Sequence, residues 1–181
     1  MKAGALTARQ HVLLFMTREA LIAVPNGSKQ IHLIKQNEEV LAASTRMANG
    51  KLELAWEAIK VHFSSGSEAG SLSTMVYLEL KGAEGSLIYS LDQILLLDNG
   101  KYIIASRLQP GQSLVDKDGK GLLVKRVIVG EFNRGVHGIM TMAPMKDSPD
   151  GHLLLAQGVV VGDFWMQINF RQLPDSMKEA A

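Results

Sequence analysis

The sequence predicts an all-β domain built from two similar halves, with helix confined to short segments near the termini. Three observations lead to this prediction: five Asn-Gly or Asp-Gly dipeptides, many short aliphatic runs, and an internal repeat. A chain of 181 residues suits one domain, and a domain of that size buries roughly 70% of the surface of the extended chain. We therefore expect a single β-rich core.

The dipeptides mark the predicted turns. They lie at residues 26–27, 49–50, 99–100, 118–119 and 150–151, and both types tolerate the positive φ angles of a type I′ hairpin. The short aliphatic runs near them are the strand candidates: Ala20–Val24, Gln30–Lys35, Glu39–Ser44, Leu52–Phe63, Thr74–Leu80, Leu87–Ser90, Gln93–Leu97, Lys101–Ala105, Gly121–Val129, Gly138–Met142, His152–Ala156, Val159–Val161 and Phe164–Phe170.

In two of these runs the spacing of the apolar residues predicts a further feature. In the run Leu52–Phe63 the apolar positions change phase after Trp56, which predicts a β-bulge near Glu57–Ala58. The run Phe164–Phe170 has an apolar residue at every second position and is predicted to be a final strand. The serine- and glycine-rich residues 64–73 between two runs are predicted to form a loop.

Helix is expected only at the two ends of the chain. The candidates are Leu6–Met16 and a short turn after Pro174, for which Asp175 would be the cap.

The internal repeat relates the two halves. Residues Ile31–Ile34 align with Ala105–Leu108 at an offset of 74, and the same offset aligns the strands that follow. An Asn-Gly turn precedes each copy, and Asn37-Glu38 and Gly111-Gln112 occupy matching polar turns. Two copies are too few for a solenoid, so the repeat predicts a compact β fold with pseudo-two-fold symmetry.

Four segments resemble a known protein family. The most specific segment is Ala105-Ser-Arg-Leu-Gln-Pro-Gly-Gln-Ser-Leu114. The other three segments are Asn26–Ala43, Gly50–Phe63 and the ending Gly135–Val161. All four resemble the Hint module shared by inteins and hedgehog proteins, with the greatest likeness to the hedgehog C-terminal autoprocessing (Hog) domain. The resemblance covers about residues 15–170 and implies a disc-like β fold of two interleaved, pseudo-symmetric halves.

The resemblance also implies a division of the chain and a type of chemistry. Residues 1–14 would be an N-terminal extension, 15–170 the Hint-like domain and 171–181 a C-terminal tail. Family members carry out an N–S or N–O acyl shift, in which a side chain at the start of the domain attacks the preceding peptide carbonyl. Such a shift needs a nucleophile, a base and donors that polarise the carbonyl.

The family's nucleophile and motif histidine are missing. The position of the nucleophile is Phe15, which cannot attack a carbonyl, and the nearest hydroxyl belongs to Thr17. Because the sequence contains no cysteine, thioester chemistry is excluded. Ser90 and Gln93 match the family's Thr-x-x-His motif, but an amide cannot take up and return a proton near neutral pH. His62 falls where hedgehog proteins carry an activating aspartate.

Each of these candidates also has a plain structural interpretation. Thr17 would be an ordinary exposed threonine before a strand, Ser90 and Gln93 a polar pair at a strand entrance, and His62 a partly buried strand residue. Thr17, His62, Ser90 and Gln93 are therefore candidate or remnant site positions.

Composition removes several classes of function. Nineteen basic and eighteen acidic residues give a net charge of +1, so no basic field attracts nucleic acid. No signal peptide or membrane span is evident, and we expect a soluble protein of undetermined compartment. No cofactor is implied, and the other four histidines show no spacing typical of a metal site: His11, His32, His137 and His152.

Three hypotheses of function remain. The first is a degenerate, non-cleaving Hint-like domain that acts as a binding or structural module, with a protein or its own flanking segment as partner. The second is a self-processing domain that forms an oxygen ester through Thr17 or Ser90, with His62 as base. The third is an unrelated β-rich binding protein.

Overall fold

The computed structural model describes residues 16–70, 72–83, 85–144, 146 and 148–179. In these residues the chain forms the following strands: β1 (Met16–Thr17), β2 (Leu21–Val24), β3 (Gly27–Gln30), β4 (Glu39–Ala48), β5 (Lys51–Gly66), β6 (Ser73–Leu80), β7 (Leu87–Ser90), β8 (Ile94–Leu96), β9 (Tyr102–Ile104), β10 (Ser113–Val115), β11 (Gly121–Phe132), β12 (Val136–Thr141), β13 (Leu153–Ala156) and β14 (Val159–Gly162). The helices are short: α1 (Phe164–Asn169) and 3₁₀ helices over Ile31–Leu33, Ala105–Arg107, Phe170–Gln172 and Asp175–Met177. The predicted all-β class is confirmed.

The strands pair antiparallel along one path. The order is β10-β11-β6-β7-β1-β12-β5-β4-β13-β14-β8-β9, while β2 pairs with β3 and with β13. The middle of the path is symmetric about the β7/β1 pair. On one side β7 is followed by β6 and β11, and on the other side β1 is followed by β12 and β5.

The central pair of strands locates the pseudo-two-fold axis. Met16 in β1 pairs with Tyr89 in β7, and positions 16 and 89 differ by 73, the offset of the Asn-Gly turns at 26 and 99. The same offset relates Ile22 to Leu95, which pair with β13 and β14 respectively. A residue that pairs with its own repeat copy lies at the axis, so the axis passes between β1 and β7.

The two repeated segments have the same local structure. The 3₁₀ helices begin at Ile31 and Ala105, in agreement with the offset of 74. The amide of Ile31 donates to the carbonyl of Ala20 at 2.8 Å, and the amide of Ala105 donates to the carbonyl of Gln93 at 2.8 Å. The repeat predicted from the sequence is therefore a repeat of hydrogen bonds as well as of residues.

The polar turns after these helices also match. Asn37 has a φ angle of 70° and Gly111 one of 94°, a left-handed region that few other residues adopt without strain. The amide of Asn37 donates to Val61 at 2.8 Å, and the amide of Gly111 donates to Val124 at 2.9 Å. Each turn therefore fixes the entry of the next strand against one of the two long strands, β5 and β11.

Two clusters of buried side chains lie on opposite faces of β14. Val159 and Val161 of β14 belong to the first cluster, and Val160 belongs to the second, because alternate residues of a strand point to opposite faces. All four residues of β14 are buried. Burial on both faces explains why β14 is an unbroken aliphatic run rather than an alternating one.

β5 changes its buried side where the sequence indicated, but without the predicted bulge. Leu52 packs in the second cluster, whereas Val61 packs in the first. Pairing with β4 is continuous over residues 51–60, so the bulge predicted at Glu57–Ala58 is wrong. The irregularity lies instead between Val61 and Phe63, opposite β12, where the strand stops pairing with β4 and pairs with β12.

The predicted last strand is a helix. Residues 164–169 form α1, and Asp163 caps it by accepting a hydrogen bond from the amide of Met166 at 3.2 Å. Trp165 and Met166 are both buried while Ile168 is 53% exposed. The buried residues therefore do not follow the alternation on which the strand prediction was based.

The residues after α1 return to the domain. Leu173 is buried, and Met177 lies against the second cluster. The 3₁₀ helix that begins at Asp175 occupies the predicted turn, although Pro174 holds the cap position. Most of the predicted helix Leu6–Met16 lies outside the described residues, and Met16 itself is in β1. No helix within the described ranges is long and apolar enough to cross a membrane.

Candidate functional site

Two matching turns at the centre of the sheet hold three of the four candidate residues. Residues 17–20 follow Met16, and residues 90–93 follow Tyr89. In the first turn the amide of Ala20 donates to the carbonyl of Thr17 at 3.0 Å, and in the second the amide of residue 93 donates to the carbonyl of residue 90 at 3.2 Å. Because β1 and β7 pair at the pseudo-two-fold axis, the two hydroxyl residues are repeat copies of one another on adjacent strands.

Thr17 is the accessible member of this group. Its side chain is half-buried and lines a surface cleft of about 230 Å³ between β7 and the β13–β14 turn. Phe15, the position that the resemblance assigns to the nucleophile, lies outside the described residues.

Ser90 is fully enclosed. Its side chain is 1% exposed, and its hydroxyl has no hydrogen-bond partner among the described residues. Among the described residues, no base is therefore hydrogen-bonded to this hydroxyl to remove its proton.

Gln93 is buried and its amide joins three elements. The side-chain nitrogen donates to the carbonyl of Gly162 at 2.7 Å and to that of Ile94 at 3.2 Å. The side-chain oxygen accepts a hydrogen bond from the side-chain amide of Gln167 in α1 at 2.8 Å. Both hydrogens of the nitrogen are therefore engaged with the protein's own backbone, at the end of β14 and the start of β8.

His62 lies apart from the other three candidates. It is exposed on β5, at the point where the pairing with β12 is irregular. No hydrogen bond joins His62 to either candidate hydroxyl in the described part of the chain, so the structure does not bring this predicted base to a nucleophile.

A buried cluster that the sequence analysis missed lies beside Gln93. His152 Nδ1 is 2.8 Å from an oxygen of Asp163 and 3.3 Å from the hydroxyl of Thr141. All three residues are at most 2% exposed. The ring of His152 stacks on Trp165, with centroids 4.4 Å apart. The three polar residues come from separate elements, and no local motif in the sequence connects them.

The cluster favours a charged histidine. Asp163 accepts amide hydrogen bonds from Thr141 at 2.9 Å and from Met166 at 3.2 Å, so its oxygens act as acceptors and Nδ1 of His152 must donate. Nε2 faces the carbonyl of Pro144 at 3.3 Å, which is also an acceptor. Burial by itself would lower the pKa of His152, but the hydrogen bond and charge of Asp163 together with the nearby carbonyls raise it.

A second histidine that is hydrogen-bonded to a hydroxyl lies at the start of β12. Nε2 of His137 is 2.7 Å from the hydroxyl of Ser64, which is 2.6 Å from the carbonyl of Ile34. Because that hydroxyl donates to the carbonyl, the ring must donate to the hydroxyl and does not act as its base. Burial, with smaller contributions from His32 and Arg18, lowers the pKa of His137 to about 4.

In these arrangements the polar side chains bond mainly to the protein's own backbone and to one another. No histidine within the described ranges is hydrogen-bonded to the hydroxyl of Thr17 or Ser90. The side-chain amide of Gln93 donates to the carbonyl of Gly162. Within the same ranges, no group of three or more His, Cys, Asp or Glu side chains could hold a metal ion.

Comparison with known proteins gives a likeness in structure but not in sequence. No protein-family model matches the chain, and no curated protein sequence matches it significantly. The bacterial intein-like domain from Clostridium thermocellum is similar in structure, with a TM-score of 0.63, 17% identity, and coverage of 82% of this chain and 97% of that one.

Two inteins give similar values. The gp41-1 intein has a TM-score of 0.60 and 15% identity, over 82% of this chain and 98% of the intein. A DnaB intein from Synechocystis sp. PCC 6803 has a TM-score of 0.57 and 13% identity, over 82% of this chain and 97% of the intein. The chain therefore has the intein-like Hint fold.

Proposed function

We propose that this chain is a Hint-fold module that does not process its own backbone and acts as a binding or structural domain. The observation that carries the proposal is the environment of Gln93. In the family that the sequence resembles, this position holds a histidine that acts on the scissile carbonyl. Here the amide is buried and donates to Gly162 and Ile94, so it braces the fold and offers no free donor to a substrate.

The nearby polar groups support the same proposal. Asp163 caps α1 and holds His152, which commits both to the packing of the C-terminal segment. We include in this proposal a relation to the hedgehog (Hog) domain, which rests on the likeness of residues 105–114. The partner we propose is another protein or a segment that flanks this domain in its own chain. The backbone chemistry of the family would then have been lost while its fold was kept.

Self-processing through an oxygen ester is the second candidate. It is favoured by one observation, namely that the hydroxyl-bearing Thr17 lines an open cleft beside the central strands. Ser90 is a less suitable nucleophile than Thr17 because its hydroxyl is enclosed. His62 is poorly placed to act as the base because it lies on the exposed face of β5.

Intact-mass spectrometry of the untagged precursor with its natural flanks separates the two candidates. We expect one full-length mass that brief treatment with hydroxylamine at neutral pH leaves unchanged, because under these conditions hydroxylamine cleaves an ester or thioester while the three Asn-Gly bonds, which it cleaves only in alkali, stay intact. The variants Thr17→Val and Ser90→Ala are the matched controls and should give the same result. A hydroxylamine-dependent fragment that ends just before Thr17 and disappears in Thr17→Val would establish the ester and refute the non-processing proposal.

A further inference from the structure

We propose that the cleft beside β1 binds a small organic anion, a carboxylate or phosphate monoester that carries an apolar body. This proposal rests on the binding function above and adds a small-molecule ligand to the protein or flanking segment proposed there as partner. The cleft has a volume of about 230 Å³ and is bounded by the turn at residues 17–20, by residues 86–89, by the Phe132–Arg134 segment and by the β13–β14 turn. It is large enough for a small metabolite-sized molecule and too small for a folded segment.

The charge of the cleft favours an anion. Arg18 and Arg134 both line it, and neither guanidinium forms an ion pair within the described residues. Arg134 lies over the ring of Phe132 at 5.4 Å, which restricts the orientation of its planar group. Glu19 is the one acidic residue among those described that line the cleft. Two guanidinium groups against one carboxylate leave a net positive charge, and guanidinium groups bind carboxylates and phosphates by paired hydrogen bonds.

The walls also supply an apolar surface. Leu87, Phe132 and Ala156 line the cleft beside the two arginines. Tyr89 also lines it, although its hydroxyl is buried and does not reach the surface of the cleft. Polar residues make up most of the rest of the lining, so the cleft can contact both the charged group and the apolar body of one molecule.

The pseudo-symmetric copy of the cleft has a different lining. Residues 90–93 are the repeat copy of residues 17–20, and beside them lies a cleft of about 210 Å³ whose lining includes Asp92, Gln167, Phe170 and Arg171. In this second cleft the side-chain amide of Gln167 donates a hydrogen bond to the side-chain oxygen of Gln93. The equivalent surface beside residues 17–20 is open and carries Arg18 in place of Leu91. The two clefts therefore differ in charge: the one beside residues 17–20 has two guanidinium groups against the carboxylate of Glu19, whereas its copy has one of each, from Arg171 and Asp92.

The test uses the full chain and two probes, inorganic phosphate and phenyl phosphate, titrated at constant ionic strength and followed by calorimetry and NMR shifts. We expect saturable binding of both, with tighter binding of phenyl phosphate because its ring covers the apolar wall. Arg18→Gln and Arg134→Gln should each weaken binding by about tenfold, which is the effect of one charge-assisted hydrogen bond. Glu19→Gln should strengthen it by removing a like charge.

Arg126→Gln is the matched control, because Arg126 is exposed on β11 and is paired with Glu79 outside the cleft. This variant should bind as the parent does, and thermal unfolding should show that every variant is folded. The proposal is overturned if neither probe saturates, or if the Arg18→Gln/Arg134→Gln double variant binds as tightly as Arg126→Gln. That outcome is separate from the intact-mass test, since loss of anion binding leaves the mass unchanged.

Discussion

Ser90 and Gln93 lie three positions apart in one turn, yet their side chains contribute to the structure in opposite ways. The amide of Gln93 makes three hydrogen bonds across separate elements. The hydroxyl of Ser90 is equally buried and makes none within the described residues. Because a buried polar group without a partner costs free energy, the two positions should respond differently to the same truncation.

We expect Gln93→Ala to lower the free energy of unfolding by about 1–3 kcal/mol, since buried partners would lose their hydrogen bonds. Ser90→Ala should leave it unchanged within about 0.5 kcal/mol or raise it. Urea denaturation measures both, with the exposed Gln109→Ala as the control. If Ser90→Ala were as destabilising as Gln93→Ala, the assignment of Gln93 as the brace would be wrong.

At the scale of elements, the repeated turns are the best test of pseudo-symmetry. Asn37 and Gly111 make equivalent backbone hydrogen bonds and share a left-handed conformation. The space around Gly111 is open, because a Cβ atom added at this position would meet no atom within 4 Å. A substitution at this position therefore changes backbone strain without causing a steric clash.

Gly111→Ala should destabilise the protein by about 1 kcal/mol, because a residue with a Cβ atom resists a positive φ angle. The pseudo-symmetric change Asn37→Gly should alter stability by less than about 0.5 kcal/mol, because glycine accepts the same backbone conformation. Thermal or urea unfolding of both variants makes the comparison. An equal loss in the two variants would mean that the turns are not equivalent.

The sequence was informative where a signal is local. The matched turns and the aliphatic run of β14 each lie within a few residues, the repeat compares two such short segments, and the sequence predicts all of them. The hairpin turn at Gln157-Gly158 was missed, although both residues have positive φ angles, because glutamine is not a usual turn signal.

The candidate site was less predictable. His152 and Asp163 are 11 positions apart, and only the fold brings them to Thr141. Asp163 could have been interpreted as a helix cap, but the alternation of residues 164–170 favoured a strand. Ser90 and Gln93 could be selected from the sequence because the resemblance pointed to them, whereas their opposite hydrogen-bond states depend on α1 and β14.

For the whole molecule, two histidines oppose each other in the pH dependence of stability. Burial lowers the pKa of His137 to about 4, below the ordinary value, so its stabilising effect is present above about pH 6.5 and is lost as the pH falls. Although burial opposes the change, Asp163 raises the pKa of His152, so its stabilising effect is present below about pH 6.5 and is lost as the pH rises through the raised pKa.

We therefore expect the free energy of unfolding to decline on both sides of a maximum near about pH 6.5. His137→Gln should flatten the acidic limb, and His152→Gln should flatten the alkaline limb while lowering stability overall, since Asp163 would lose its partner. Urea titrations at several pH values provide the measurement. An alkaline limb that persists in His152→Gln would show that another group causes it.

The pairing of Met16 with Tyr89 has a consequence for the folding rate. The innermost strands come from segments 73 positions apart, so a long loop must close before the centre of the sheet forms, and the entropy of that closure is lost before most contacts can compensate for it. Chains dominated by such distant pairings have a high contact order and fold in milliseconds to seconds. Neither half supplies both central strands, so a chain cut between them should acquire its structure only when both fragments associate.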